Sequence, residues 1–328
     1  MKRTLLFVLA LAVIPVGVDA QVSDLEQTRA RAEQGDALAQ YDLGTMYDTG
    51  FGVPEDDAEA ARWYLLAAEQ GDAFAQNNLG VMYRDGEGVP QDYAEAIRWY
   101  RLAAEQGNAP AQFNLGLMYD YDLGQGILQD DVEAVRWYRL AAEQGFGDAQ
   151  YNLGVMYANG RGVPQDDAEA VRLYRLAADQ GNVGAQTNLG FMYINGQGVP
   201  EDYAEAFRWF RLAADQGVVV AQTNLGRMYV DGEGVPQDYV EAARWYRLAA
   251  DQGFAPAQRG LGVMYGTGQG VPQDYVLAYM WLNLAAAQGD ELAQEGKDLT
   301  EQQMIREQIA EAQRMSREWL AAHPPGGN

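Results

Sequence analysis

Few of the side chains that usually carry out catalysis occur in this sequence. The chain has no cysteine, a single histidine (His323) and only two serines, Ser23 and Ser316. These residues lie near the two ends of the chain, so a Ser-His-Asp or Cys-His nucleophile cannot be assembled in its main part. A zinc site built on histidine is excluded for the same reason. We therefore expect a protein that is not an enzyme, with no catalytic residues, no metal and no cofactor.

Carboxylates are the one reactive group in excess. The sequence has 47 Asp and Glu residues against 23 Lys and Arg, for a formal net charge of −24. Paired carboxylates can hydrolyse glycosides, but here many glutamates lie three residues before an arginine, as on an exposed helix face. These pairs are 59/62, 95/98, 133/136, 169/172, 205/208 and 241/244. The negative charge repels nucleic acid and anionic membranes, so we expect neither as a partner.

An internal repeat organises most of the chain. The pair Ala-Gln recurs at residues 39, 75, 111, 149, 185, 221, 257 and 293, with a spacing of 36 residues that is interrupted once by a spacing of 38. A fixed period of this length is typical of stacked helical repeats. We predict seven repeats, at 36–71, 72–107, 108–145, 146–181, 182–217, 218–253 and 254–289. We also predict a helical cap at 21–35, capping helices at 290–322 and a disordered tail at 323–328.

Repeat two shows how one period forms two helices. Its first half places four apolar side chains on one helical stripe: Ala75, Leu79, Met82 and Tyr83. The glycine-rich segment 85–88 then forms a turn. A second helix begins after the N-cap residue Asp92, with Glu95 three residues later, and ends at Gly107. Because neither helix can cover its apolar side alone, the pattern predicts an all-α fold, an α/α superhelical solenoid of helix-turn-helix repeats.

The repeated residues resemble the Sel-1-like repeat family, which is related to the tetratricopeptide repeat. The matching residues of repeat two are Ala75, Leu79, Gly80, Tyr83, Gly86, Gly88, Val89, Asp92, Ala96, Trp99, Ala103, Ala104 and Gly107. The resemblance implies an α/α superhelix that acts as a scaffold, often in bacterial envelopes, in signalling or in host contact. Some cysteine-rich exported members act on β-lactams. Since this chain lacks their disulfides, we do not expect that activity here.

Three repeats depart from the pattern. Repeat three has two extra residues near 121–123 and has Leu128 where the other repeats have proline. Repeat four has Leu173 where tryptophan is usual. Repeat seven has Leu277 and Met280 at outer positions that are Glu and Arg elsewhere. Apolar side chains on an outer face need a cover.

The segment after repeat seven is the predicted cover. Residues 300–303, Thr-Glu-Gln-Gln, are typical of a capping box and predict the start of a helix. Its apolar stripe would consist of Met304, Ile305, Ile309, Ala312, Met315 and Trp319. We predict that this helix packs on repeat seven as a terminal cap, which solenoids need for solubility.

The candidate binding surface is one face of the first helices, here called the groove face. In repeat two it consists of residues 77, 81 and 84, opposite the buried stripe; by analogy with tetratricopeptide solenoids it lines the groove. Its residues vary between repeats, and many are apolar, as at interaction sites. The candidate partner-binding residues are Tyr41, Phe113, Leu117, Tyr151, Val155, Phe191, Ile194 and Arg227. The alternative is that tight superhelical curvature buries these side chains against each other.

A series of asparagines flanks this face, and its members are Asn78, Asn114, Asn152, Asn188 and Asn224. Asparagines along a groove are candidates to hydrogen-bond the backbone of an extended peptide without reading its sequence. The alternative is that each one satisfies polar groups between neighbouring helices. Their position beside the buried stripe favours that alternative.

These features predict a non-catalytic scaffold of the periplasm or the secreted fraction. Its partner would be a protein or a peptide segment bound in the groove of the solenoid. One alternative is a carbohydrate-binding component of the envelope, because aromatic grooves can stack on sugars. A less favoured alternative is an enzyme that acts on the cell wall or on β-lactams.

The first twenty residues are typical of a secretory signal peptide. Lys2 and Arg3 precede an apolar segment at 5–16, and the small residues Val18 and Ala20 frame a cleavage site. No cysteine follows, so we expect neither a lipid anchor nor membrane insertion after cleavage. Cleavage after Ala20 should leave Gln21 as the first residue, which N-terminal sequencing of the fractionated protein measures. A protein that still begins at Met1 would contradict export.

Overall fold

The structure, a computed structural model, describes residues 18–121 and 128–323, and every regular element within them is an α-helix. The predicted all-α solenoid of seven helix-turn-helix repeats is thereby confirmed. Most of the predicted leader, part of the insertion in repeat three and the last five residues of the predicted tail lie outside the described residues. The helices group into two compact units, Met1–Gln144 and Gly145–Asn328. They are called unit one and unit two below.

Each repeat contributes a first and a second helix, and single helices lie outside the repeats. The first helices are α2 (Ala37–Thr49), α4 (Ala73–Asp85), α6 (Ala109–Asp120), α8 (Gly147–Asn159), α10 (Val183–Asn195), α12 (Val219–Asp231) and α14 (Ala255–Thr267). The second helices are α3 (Asp57–Glu69), α5 (Tyr93–Glu105), α7 (Asp131–Glu143), α9 (Asp167–Asp179), α11 (Tyr203–Asp215), α13 (Tyr239–Asp251) and α15 (Tyr275–Ala286). The remaining helices are α1 (Val18–Glu33), α16 (Glu291–Glu301) and α17 (Arg306–Ala322).

An aspartate begins each second helix. Asp92 accepts hydrogen bonds from the backbone N–H groups of Ala94 and Glu95, which have no partner inside the helix. The Glu95 carboxylate binds Arg98 on the outer face at 2.9 Å. All six predicted glutamate–arginine pairs are present on exposed helix faces. They are solvated pairs that contribute little to stability.

Within each unit, tryptophans of the second helices pack against the preceding repeat. In unit one, Trp99 on α5 is buried in a cluster with Tyr64 of repeat one and Leu79 of repeat two. The guanidinium of Arg98 lies over the same indole, 4.8 Å from the ring centroid. Leu173, which replaces tryptophan in repeat four, is also buried. The position of the tryptophan is thus buried in repeat four as well.

The turn between the two helices also brings neighbouring repeats together. Gly88 has a φ of +67°, a conformation that favours glycine. A Cβ atom on Gly88 would lie 2.0 Å from the carbonyl oxygen of Asp57, at the start of the preceding second helix. The backbone of one repeat therefore contacts the backbone of the next, with no room for a side chain between them.

Within each unit, buried glutamines connect a first helix to the ends of the helix before it and the helix after it. In unit two the side-chain amide of Gln186 donates to the Ala178 carbonyl at the end of α9, at 3.2 Å. Its side-chain oxygen accepts from the Gln216 amide at the end of α11, at 2.9 Å. The same two bonds occur at Gln40, Gln76, Gln112, Gln222 and Gln258. The glutamine of the Ala-Gln pair thus satisfies a helix-end carbonyl inside the core, a role that the sequence pattern did not reveal.

Helix α17 covers repeat seven. Met315 and Trp319 of α17 and Leu277 of α15 pack against a buried cluster that contains Met280 and Trp281. The rings of Trp319 and Trp281 meet edge to face, with centroids 6.1 Å apart. This is the packing that the apolar outer residues of repeat seven led us to expect.

The predicted start of that helix was wrong. Thr300 lies inside α16, where its hydroxyl donates to the Gly296 carbonyl, and α17 begins only at Arg306. Asp290 caps α16, which continues the register of the first helices with Ala293 buried. Because that register carries the helix through Thr300, Thr300 cannot cap the next helix. The N-cap residue is Ile305, which is 62% exposed.

Replacing Gln186 with leucine should lower the free energy of unfolding by about 1–3 kcal/mol, because the Ala178 carbonyl and the Gln216 amide lose their partner. Urea denaturation followed by circular dichroism measures the change. Gln197→Leu makes the same chemical change at an exposed position and should shift stability by less than about 0.5 kcal/mol. Equal denaturation midpoints for the two variants would show that the buried bridge contributes nothing.

A chain that ends at Gln302 lacks α17 and should expose the apolar outer side of α15. We expect earlier thermal unfolding and concentration-dependent aggregation, measured by calorimetry and light scattering. The control is a chain that ends at His323, which keeps α17 and removes only the last five residues. Unchanged melting and solubility of the shorter chain would mean that α17 is dispensable for the array.

Candidate partner-binding face

The aromatic side chains predicted on the groove face are half-buried. Each packs, edge to face or tilted, against the ring that the second helix of its own repeat places beneath it. In unit two the ring centroids of Phe191 and Phe210 are 5.1 Å apart, and those of Tyr151 and Tyr174 are 6.0 Å apart. In unit one the pairs are Tyr41–Tyr64 and Phe113–Tyr138, each at 5.9 Å. These rings are thus held in place by packing and keep part of their surface exposed.

The other predicted partner-binding residues are half-buried too. In unit two Val155 and Ile194 pack, with Tyr151 and Phe191, against one buried cluster, so the structure brings four predicted residues together there. Leu117 lies in unit one, one helical turn after Phe113 on α6, and Arg227 lies on α12 of unit two. Neither the fully exposed strip nor the fully buried alternative describes these side chains.

A glycine in each first helix makes room for the ring below the groove face. A Cβ on Gly80 would lie 2.7 Å from the ring of Tyr100, so only glycine allows the second helix this close. The same close approach occurs at Gly44, Gly116, Gly154, Gly190 and Gly226. The buried ring is therefore part of the repeat framework, and the exposed ring above it is the part that varies.

The hydroxyls of two buried tyrosines have partners in the protein. The Tyr64 hydroxyl lies 3.2 Å from Oγ1 of Thr45 and 3.1 Å from Oδ2 of Asp48 and donates to these oxygens. The Tyr138 hydroxyl donates to Oδ2 of Asp120 at 3.0 Å. Burial raises the pKa of Tyr174 to about 12, and a hydrogen bond from the Asn188 amide partly opposes this shift. These phenols stay protonated at physiological pH, which suits a structural donor rather than a catalytic base.

Asparagines of the predicted series take part in hydrogen bonds within each unit. The Asn114 amide donates to the Asn77 side-chain oxygen at 3.0 Å, and Asn188 lies beside the Tyr174 hydroxyl and lowers its pKa. The Asn224 amide donates back to the Val220 carbonyl of its own helix at 2.8 Å, since Phe210 offers it no hydroxyl. Asn78 also accepts from Asn77, and Asn152 is half-buried. These bonds favour a role in the fold, and contact with a peptide backbone stays a prediction.

The serine and the histidine that the structure describes near the C-terminus, Ser316 and His323, both make contacts within the fold. Ser316 is buried, and its hydroxyl donates to the Ala312 carbonyl at 2.9 Å. His323 stacks on Trp319 with centroids 4.2 Å apart. Within residues 18–121 and 128–323 no three side chains of His, Cys, Asp or Glu are grouped so as to hold a metal ion. In the same part of the chain, no helix is long and apolar enough to cross a membrane.

A cavity of about 290 Å³ opens beside α12 and α14 in unit two. Its walls include Arg227, Tyr246, Arg259, Gly260, Val263 and Met264. Among these residues the predicted partner-binding set included only Arg227, although Arg259 and Val263 also fall on the predicted groove face. The signal that could have found the others is Gly260, which interrupts the asparagine series.

Stacked helix pairs of fixed length, joined by recurring glycine, tryptophan and glutamine contacts, define this protein as a helical-repeat solenoid. The family model described as Sel1 repeat matches residues 37–72, 73–108, 109–146, 147–182, 183–218, 219–254 and 255–290. The chain belongs to the Sel1 repeat family, which confirms the resemblance inferred from sequence. Sel1 repeat solenoids are generally scaffolds for protein interactions and are typically non-catalytic.

Two solved structures show the same architecture. A Sel1 repeat protein from Oxalobacter formigenes is 38% identical, with 85% of this chain and 80% of that chain covered and a TM-score of 0.66. A protective antigen of uropathogenic Escherichia coli strains, which displays an SLR fold, is 30% identical. The match covers 93% of this chain and 88% of that one, with a TM-score of 0.54. A search of curated proteins gave no match.

Proposed function

We propose that this chain is a non-catalytic scaffold that binds a segment of a partner protein on the groove face of its first helices. The supporting observation is the set of half-buried rings on that face. Each ring is fixed from below by a second aromatic ring and is open from above. The side chains on this face differ between repeats, while the residues beneath them recur.

Such rings are well suited to bind another protein. Interface energy usually comes from a few aromatic anchors that lose their water on binding. A ring already held by its neighbour loses little conformational freedom when a partner covers it, so less free energy is spent on ordering. In unit two, Tyr151, Val155, Phe191 and Ile194 share one packed cluster and therefore form a pre-ordered apolar surface.

Charge and the predicted leader complete the proposal. A net charge of −24 favours a partner with a basic surface, because complementary charge speeds association. The basic and apolar segments at 2–16 support export to the periplasm or the medium. The scaffold would then meet its partner outside the cytoplasm.

Replacing Phe113, Tyr151 or Phe191 with alanine should each weaken partner binding by about 1–3 kcal/mol, as for aromatic anchors. Loss of the ring stack should also lower stability, by about 0.5–1.5 kcal/mol. A partner isolated from periplasmic extract and then purified gives the affinity by calorimetry, and thermal unfolding gives the stability.

The control is Phe51→Ala, which removes a ring that is 65% exposed in a turn outside the groove face. This variant should bind normally. Normal binding by all three groove-face variants, together with early melting, would mean that their rings only support the fold.

A further inference from the structure

Repeat seven departs from the other repeats at Gly260. The same position is asparagine in repeats two to six, at residues 78, 114, 152, 188 and 224. In unit two, Asn188 lies beside the hydroxyl of Tyr174 in the preceding repeat and lowers the pKa of that hydroxyl. Repeat seven has no amide to offer Tyr246, its counterpart. A Cβ atom on Gly260 would lie 2.9 Å from the ring of Tyr246, so the ring and the cavity beside it use space that a side chain fills elsewhere.

The hydroxyl of Tyr246 is available to a ligand from the cavity. Tyr246 as a whole is only 9% exposed, but it lines the cavity, and its hydroxyl makes no hydrogen bond to the described residues. Burial raises its pKa to about 12; the nearby carboxylate of Asp231 adds to this shift, and Arg227 and Arg259 oppose it. A phenolic hydroxyl that faces a cavity can donate to a ligand that brings an acceptor.

Two arginines in the walls of the cavity also have donors to spare. Arg227 uses one nitrogen, Nη1, for Glu233 at 3.4 Å and Asp231 at 3.9 Å. Arg259 reaches Asp290 through Nε at 3.2 Å. Among residues 128–323, the other guanidinium N–H groups of both arginines have no protein acceptor. The polar side of the cavity thus offers hydrogen-bond donors from three side chains.

The cavity also has apolar side chains in its walls, and these side chains and the cavity volume bear on the choice of ligand. Val230, Val263 and Met264 line the same cavity as the arginines. Its volume of about 290 Å³ is at the small end of ligand pockets, which hold roughly 300–1,000 Å³. The space suits a group of the size of one amino-acid residue.

We propose that this cavity binds the C-terminal residue of a peptide, with its α-carboxylate on Arg227, Arg259 and the Tyr246 hydroxyl and its apolar side chain against Val263 and Met264. Arginine matches the planar carboxylate with paired hydrogen bonds. A terminal residue carries the carboxylate and an apolar side chain on the same carbon, whereas an internal Asp or Glu does not. The acids already beside the arginines disfavour a doubly charged phosphate.

This inference rests on the proposed function and deepens it, because it names the chemical group of the partner that binds at repeats six and seven. It differs in place from the aromatic surface of repeats three to five. Binding of a short peptide here and anchoring of a whole partner there are measured separately, so either one can fail alone.

The test uses the full chain and the tetrapeptide acetyl-Gly-Gly-Gly-Leu, as the free acid and as the C-terminal amide, in titration calorimetry. The free acid should bind saturably and the amide about tenfold more weakly or not at all, because the amide lacks the charge that the arginines recognise. Arg227→Gln and Arg259→Gln should each weaken binding of the free acid by about tenfold or more. Arg208→Gln, which removes an outer-face arginine paired with Glu205, is the matched control and should bind as the parent does.

Two further variants separate the site from the fold. Tyr246→Phe removes only the hydroxyl, and Phe210 shows that phenylalanine is accepted at this position of a repeat. It should weaken binding several-fold while thermal stability is kept. Gly260→Asn restores the residue of the other repeats, fills the cavity and should abolish binding. Thermal unfolding of each variant shows that it is folded.

Several outcomes would overturn the proposal. They are equal binding of the acid and the amide, no binding of either, or unchanged affinity in both arginine variants. Equal affinity for acetyl-leucine would assign the cavity to a small carboxylic acid and not to a peptide. Equal affinity for the amidated peptide acetyl-Gly-Gly-Asp-Leu would assign it to an acidic side chain and not to the chain terminus.

Discussion

The buried glutamine of the Ala-Gln pair is the interaction on which each repeat depends. A helix that ends inside a protein leaves carbonyl groups without partners, and an array of short helices multiplies such ends. Gln186 satisfies the Ala178 carbonyl at one end and accepts from Gln216 at the other, so three helices are joined by one side chain. A polar group in a core is tolerated only when it is hydrogen-bonded, so this bridge fixes which helices become neighbours.

The rest of the framework follows from the close approach that this bridge requires. Gly80 lets the ring of Tyr100 lie against a first helix, and Gly88 lets one turn touch the start of the preceding second helix. Trp99 then fills the space between two repeats. Because these residues provide the packing between helices, the side chains of the groove face can differ from repeat to repeat. The rings of that face are supported from below, but the register of the repeats does not depend on them.

The period, the helix pairs and the outer salt bridges were predictable, because each is a local pattern that recurs seven times. The glutamine bridge was not, since a polar residue on a helix gives no sign of burial until its neighbours are known. A helical wheel placed Phe191 opposite the core, but only the position of Phe210 shows that its ring is half-buried. Thr300 had the pattern of a helix start, yet the register of α16 passed through it.

A repeat protein offers its own reference for reading a departure. At one position of the first helix, asparagine occupies the space beside a buried tyrosine, as Asn188 does beside Tyr174. At Gly260 the side chain is absent, and a cavity lined by Arg227 and Arg259 remains. If that position served only packing, a glycine there would lose side-chain contacts without any gain. A ligand in the cavity restores those contacts, which is why the exception to the repeat, rather than its consensus, marks the specific site.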